Sequence, residues 1–279
     1  MSSTLISIAD LHALPAESRV VVDCRHSLND GNYGRAAYAT SHISGAYFLH
    51  LDDDLSGEKT GSNGRHPLPD AAHLAVRLAQ LGIHPHTQVV AYDDMGGMFA
   101  ARLWWLLRWL GHEKVALLDG GWQAWQAAGL PTDAVVPDDH DGEFAIQPSL
   151  EQIVDVKAVL TNLDNPCFTL VDARAANRFA GQDETMDPVG GHIPGAMNRC
   201  FQLNLAESGQ FKSAETLRAE WLALLGDCSP EALVCQCGSG VTACHNVLAL
   251  RVAGLLGSRL YPGSWSEWCA DAARPVAVG

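Results

Sequence analysis

The feature that most restricts the fold of this 279-residue chain is that it repeats itself. VVDCR at 21–25 returns as LVDAR at 170–174, HISGA at 42–46 as HIPGA at 192–196, and GGWQAW at 120–125 as GSWSEW at 263–268. Three matches in one order, at a spacing of roughly 150 residues, describe a tandem pair of similar domains. Each copy carries the same pattern. A short β-branched run ends in Asp-x-Arg (20–23; 170–172), and a second apolar run follows (89–92; 233–236). Next come a Gly-bearing turn, a helix (99–110; 241–253) and another strand (115–118; 259–261) that leads into the Gly-x-Trp segment. Strands alternating with helices predict an α/β class, each domain a mostly parallel sheet flanked by helices. Between the copies, 130–148 holds three prolines and five acidic residues, a composition suited to a semi-extended linker. The predicted boundaries are 1–135, a linker at 136–149, and 150–279.

Composition narrows the function classes. Hydrophobic residues make up 47% and charged residues 18%, so each half can bury a core. A net charge of −14 argues against a phosphate backbone or an anionic membrane surface as the main partner, while leaving room for a local arginine cluster that binds a small anion. The most apolar stretch, 98–110, carries Arg102 and Arg108 and is too short to span a bilayer, so it reads as a core helix. The amino terminus has no basic segment followed by a long apolar one, so a cytoplasmic protein is expected, with no membrane and no nucleic acid among its partners. The eight cysteines are too sparse for a disulfide scaffold and are expected to be mostly free thiols.

Three of them fall in LVCQCGSGVTACHN, 233–246. A strand ends near Gln236, and Cys237-Gly-Ser-Gly-Val-Thr opens the following helix. Two glycines within four residues let successive backbone N–H groups turn inward, a cradle for an anion at a helix start. A thiol held there is favoured as thiolate, the nucleophilic form, so Cys237 is read as an attacking group. In the first copy Asp93 occupies the matching position, so that loop has no nucleophile. A cysteine phosphatase needs an arginine six residues on, where this chain has Ala243. Metal binding by Cys235, Cys237, Cys244 and His245 lacks the paired spacers of a zinc site, and neither a metal nor another cofactor is expected. Cys235 is read as core.

These residues resemble the rhodanese superfamily, specifically its two-domain sulfurtransferases, over nearly the whole chain: both Asp-x-Arg strands, both His-Ile-x-Gly-Ala turns, both Gly-x-Trp segments and the single cysteine loop. The resemblance implies two rhodanese-like α/β domains, the first inactive and the second bearing the cysteine. Cys-Gly-Ser-Gly-Val-Thr is similar to the loop of 3-mercaptopyruvate sulfurtransferases, whereas thiosulfate sulfurtransferases tend to carry Cys-Arg-Lys-Gly-Val-Thr. The implied mechanism is a Cys237 persulfide, cradled by the N–H groups of Gly238, Gly240, Val241 and Thr242, that passes sulfur to a thiol or cyanide. Ser239 would act with His66 and Asp52 as a proton relay, although Asp53 and Asp54 follow Asp52 directly and His66 also reads as an ordinary loop histidine. Arg178 matches an arginine that binds the donor carboxylate. Subfamily members carry a second one seven residues before the turn histidine, where this chain has Thr185; Arg199 is a possible substitute. Arg174, like Arg25, reads as half of a structural ion pair.

The favoured reading is a sulfurtransferase that uses 3-mercaptopyruvate, with thiosulfate as the alternative donor. The different-class alternative is a protein-to-protein sulfur-carrier module with little small-donor activity. A thioredoxin-like protein is a candidate acceptor, and a monomer is expected. Whether Cys235 or Cys244 takes part in redox control is left open at this level.

Overall fold

A computed structural model describes residues 4–279; residues 1–3, included in the first predicted domain, lie outside the described residues. The chain separates into two compact units. One takes in the chain up to Gly57 with Pro69–Leu150 and Glu207–Phe211, and the other takes in Glu58–Leu68, Glu151–Ala206 and Lys212–Gly279. The segments 58–68 and 207–211 thus fold with the unit opposite to their half of the sequence. The stretch 136–149, read as a linker, lies along unit one, where His140 N–H donates to the Gln80 carbonyl at 2.8 Å and Gln147 N–H to that of Leu110 at 2.9 Å.

Unit one runs β1 (Leu5–Ile6), α1 (Ile8–Ala13), β2 (Arg19–Asp23), α2 (Tyr33–Thr40), β3 (His42–Ile43), β4 (Tyr47–Phe48), α3 (Ala71–Gln80), β5 (Gln88–Tyr92), α4 (Ala100–Trp109), β6 (Val115–Leu118), α5 (Gly121–Ala127) and β7 (Thr132–Asp133). Five of these strands form one parallel sheet in the order β1-β6-β5-β2-β4, while β3 and β7 pair antiparallel. Helices on both faces explain why the central strands are apolar without alternation: Val20, Val21, Val22, Val89, Val90 and Ala91 are all buried. Asp70 caps α3 by accepting from His73 N–H, and α3 buries Leu74, Ala75 and Leu78 on one face. The apolar stretch at 98–110 forms α4, buried from Ala100 through Arg108, and no helix among the described residues is long and apolar enough to cross a membrane.

Unit two runs α6 (Val156–Asp164), β8 (Thr169–Asp172), α7 (Ala176–Phe179), β9 (Met197–Asn198), α8 (Ala214–Leu225), β10 (Leu233–Gln236), α9 (Thr242–Val252), β11 (Arg259–Leu260) and α10 (Ser264–Trp268). Its parallel sheet has the order β11-β10-β8-β9, the same succession as β6-β5-β2-β4 in unit one. The repeated motifs do the same work twice. His42 stacks on Tyr38 at 3.9 Å and His192 on Phe179 at 3.7 Å, and each Nδ1 meets the carbonyl of the residue it stacks on at 2.8 Å. Gly45 and Gly195 share a φ of 78°, a left-handed turn that a side chain would strain. The Gly-x-Trp segments deliver Trp122 and Trp125 to one core, and Trp265 and Trp268 to the other.

Candidate active site

Cys237 directly follows β10, at the carboxyl edge of the unit-two sheet, where open α/β folds bind their ligands. Its Sγ accepts the N–H groups of Ser239 at 3.4 Å and Gly240 at 3.1 Å. The loop can bend that tightly because Gly240 has φ +79°, and a Cβ there would stand 2.2 Å from the Pro262 carbonyl oxygen. The Gly-x-Trp segment fastens the loop from below. Ser264 Oγ accepts from Cys237 N–H at 3.1 Å and donates to the Tyr261 carbonyl at 2.9 Å. Trp265 and Ser266 N–H donate to the carbonyls of Cys237 and Gly238 at 3.0 and 2.9 Å. Val241 and Thr242, the last loop residue and the first of α9, are both buried.

Unit one contains the same scaffold with a different occupant. Asp93 follows β5, and Trp122 N–H donates to its carbonyl at 2.9 Å, the counterpart of the Trp265 bond. The Asp93 carboxylate accepts four backbone N–H groups, those of Met95, Gly97, Phe99 and Ala100, at 2.7–2.8 Å. Burial pushes its carboxyl above the ordinary range, against the pull of those four bonds. The turn after this strand therefore gathers donors around an anion. In unit one a side chain of the chain itself fills that place, whereas in unit two a sulfur atom stands at the start of the loop.

Around Cys237 the structure brings together residues far apart in sequence, all within unit two. His66 Nδ1 and Ser239 Oγ are 2.7 Å apart and both side chains are buried. The preceding residue, Arg65, was not singled out from sequence, yet its Nη2 lies 2.8 Å from the point where a Cβ on Gly238 would stand. Arg65 N–H donates to Ser266 Oγ at 3.0 Å, and its guanidinium pairs with Asp187. Arg178 Nη1 approaches the same point over Gly238 to 3.9 Å. Its fork is occupied: Nε and Nη2 hold Glu184 at 3.1 and 2.8 Å, and Nη2 lies 3.4 Å from Asp187. Desolvation alone would raise the Glu184 carboxyl, but Arg178 and the N–H groups of Met186 and Asp187 outweigh it and hold it below the usual value. For Asp187 desolvation wins over Arg65 and Arg178, and its carboxyl is raised.

Arg174 grips Asp172 through Nε and Nη2 at 3.0 and 2.7 Å and lies 4.8 Å over Trp265. Arg25, Asp23 and Trp122 repeat this in unit one, with the guanidinium 4.4 Å over the ring, so the structural reading of Arg174 agrees with its geometry. Desolvation disfavours the Arg174 charge, but Asp172 and Glu184 overcome it and raise the guanidinium pKa. Arg199 is engaged elsewhere: it is buried 4.7 Å over Trp221, bonded to Glu220 at 2.7 Å and to Asn204 at 3.2 Å. Thr185 is exposed.

The other cysteines of the loop region are less suited to attack. Cys235 is fully buried and desolvation pushes its thiol far up. Cys244 Sγ donates to the Gly240 carbonyl at 3.2 Å, and the His245 ring meets Asn204 at 3.3 Å. Asp52 belongs to unit one, its carboxylate 3.9 Å from His26 Nε2. With His50 these residues offer ligand atoms within 4.8 Å of one another. However, both His50 nitrogens are already engaged with the backbone, Nδ1 accepting from Asp52 N–H at 3.3 Å and Nε2 on the Gly31 carbonyl at 2.8 Å.

Two parallel sheets in tandem, one followed by a cradled cysteine and the other by a cradled carboxylate, define a duplicated α/β protein. The rhodanese-like domain family matches residues 7–128 and again 155–271, and the chain belongs to that family as a tandem-domain sulfurtransferase. It is 47% identical over 281 residues to a probable 3-mercaptopyruvate sulfurtransferase of Pseudomonas aeruginosa, covering 100% of this chain and 99% of that one. It is 36% identical over 239 residues to the mouse thiosulfate sulfurtransferase, covering 84% of this chain and 79% of the other. Among solved structures it resembles SseA from Escherichia coli, described as a 3-mercaptopyruvate sulfotransferase, with a TM-score of 0.80 and 30% identity over 95% of this chain and 99% of that one.

Proposed function

We propose that this protein takes sulfur from 3-mercaptopyruvate onto Cys237 and passes it from the resulting persulfide to a thiol or cyanide. The observation that carries the reading is the Cys237 sulfur at the end of β10, accepting two backbone N–H groups, with the His66–Ser239 pair and two arginines around the same loop. The Cys237 thiolate attacks the donor sulfur as the carbon–sulfur bond breaks, and the electron pair leaves on carbon as the pyruvate enolate. Ser239, hydrogen-bonded to His66, supplies the proton that converts enolate to pyruvate. An acceptor thiolate then attacks the outer sulfur and restores Cys237. The loop N–H groups stabilise the anionic sulfur through both half-reactions. Asp52 is assigned the part of orienting the relay histidine, on the residue pattern alone.

The His66–Ser239 pair favours mercaptopyruvate over thiosulfate, because sulfite leaves without needing a proton whereas an enolate does not. The decisive experiment compares both donors side by side in steady state, with cyanide and with a dithiol as acceptors. A kcat/KM higher for mercaptopyruvate supports the reading, and one higher for thiosulfate overturns the donor assignment. Negligible turnover with both, alongside sulfur uptake from a persulfidated protein, would establish the carrier alternative.

A further inference from the structure

Two guanidinium groups converge on Gly238, the residue after the nucleophile. Arg65 comes from the 58–68 segment and Arg178 from α7, with Nη2 of the first and Nη1 of the second 2.8 and 3.9 Å from its Cβ position. A carboxylate already lies between them. Asp187 pairs with Arg65 through one oxygen and lies 3.4 Å from Arg178 Nη2 through the other, and its side chain is only 3% exposed. The remaining acids near the loop are bound more firmly. Asp172 is held by Arg174 through two nitrogens, and Glu184 takes the Arg178 fork and two backbone N–H groups. Among the described residues Asp187 has no comparable fork-to-fork partner. It is the acid in this cluster whose carboxyl is lifted, by desolvation and by the neighbouring Glu184 charge, despite three nearby arginines.

Among the described residues Arg65, Arg174 and Arg178 are paired with Asp172, Glu184 and Asp187, so an arriving anion must compete with an internal carboxylate for each guanidinium. The carboxylate that touches both guanidinium groups over Gly238 is Asp187. We propose that Arg65 is a second donor-carboxylate residue, and that Asp187 is an internal carboxylate holding that place until the donor's own carboxylate displaces it from between Arg65 and Arg178. This rests on the proposed 2-oxo-acid donor. It explains how a chain with Thr185 exposed and Arg199 buried elsewhere still offers two arginines to the donor, and it makes affinity the difference between two carboxylates competing for one clamp.

The test uses pyruvate, a 2-oxo acid without sulfur, titrated calorimetrically into the full-length Cys237→Ser protein. Adding Asp187→Asn removes the competing charge and should tighten pyruvate binding about fivefold. Arg65→Gln should weaken it about tenfold, with Arg65→Lys in between because charge survives and the planar fork does not. Opposite signs for the two positions are diagnostic, since a merely structural Arg65–Asp187 pair would make both changes weaken binding. Weaker or unchanged binding in Asp187→Asn, or unchanged binding in Arg65→Gln, overturns the proposal. Hydrogen exchange on the unmodified chain guards against misfolded variants: saturating pyruvate should speed exchange at 185–189 while slowing it at 238–241, and slowing at both would refute displacement. The donor reading fails separately, if mercaptopyruvate leaves no sulfur adduct on the wild-type protein, whatever the pyruvate titrations show.

Discussion

Replacing His66 with alanine probes the proton step without touching the nucleophile. The Ser239 hydroxyl and His66 Nδ1 are 2.7 Å apart and both side chains are buried, so the substitution strips the hydroxyl of its proton reservoir in a place water reaches poorly. Positioned acid–base groups contribute about 10²–10⁴-fold. The lower end applies here, because the cavity left by the imidazole admits a water that can partly replace it. The expected loss is therefore about 10²-fold in the single-turnover rate of persulfide formation from mercaptopyruvate, read by rapid acid quench and intact-protein mass. With thiosulfate, whose sulfite leaves unprotonated, the same variant should stay within about threefold of wild type. Equal losses with both donors would mean that His66 only shapes the cleft. No loss with either would remove it from the mechanism. Asp52→Asn, measured the same way, should share the donor selectivity if the carboxylate orients the relay.

Further consequences concern the scaffold. Gly240→Ala forces a side chain into a φ of +79° and against the Pro262 carbonyl, costing about 1–2 kcal/mol for the backbone alone; turnover should collapse and Tm should fall, and a variant with both unchanged would refute the tight-loop account. Arg174→Met leaves Asp172 fully buried without its guanidinium and should cost about 3–5 kcal/mol in urea denaturation, while Arg174→Met with Asp172→Leu should recover much of it. If the double variant is no more stable than the single one, the cost does not come from a stranded charge.

How much of this was legible in the sequence depended on how local the interactions are. The duplication carried both sheets, because βα units with apolar strands leave a pattern that tertiary context does not blur. The strands at 115–118 and 233–236 coincide with β6 and β10. Cys237 and Asp93 were matched by position alone, and the Trp265 and Trp122 N–H bonds to their carbonyls show why the match is physical. Arg65 leaves no mark in the sequence because it sits in a polar, Gly-rich stretch with no periodicity, and only the packing of Gly64 and Arg65 against Gly263 and Ser266 brings that stretch to the loop. Arg178 stands out by its motif, but its engagement with Glu184 does not, since an exposed-looking acidic turn gives no sign that it folds back on a cation. The engagement of Arg199 is hidden for the same reason: its burial against Trp221 is a tertiary fact. Ser264 is a non-glycine residue at φ +55°, in the place where the first copy has Gly121 at the same angle, and its hydroxyl supports Cys237 N–H.

The central claim is that Cys237 carries the transferred sulfur, and intact-protein mass spectrometry after a pulse of mercaptopyruvate tests it most directly. The wild-type chain should gain about 32 Da, the mass of one sulfur atom, and lose it on addition of cyanide. The Cys237→Ser chain, with an unchanged circular dichroism spectrum, should gain nothing and turn over no donor. An adduct that persists in Cys237→Ser, or turnover above a few per cent of wild type, would contradict the account.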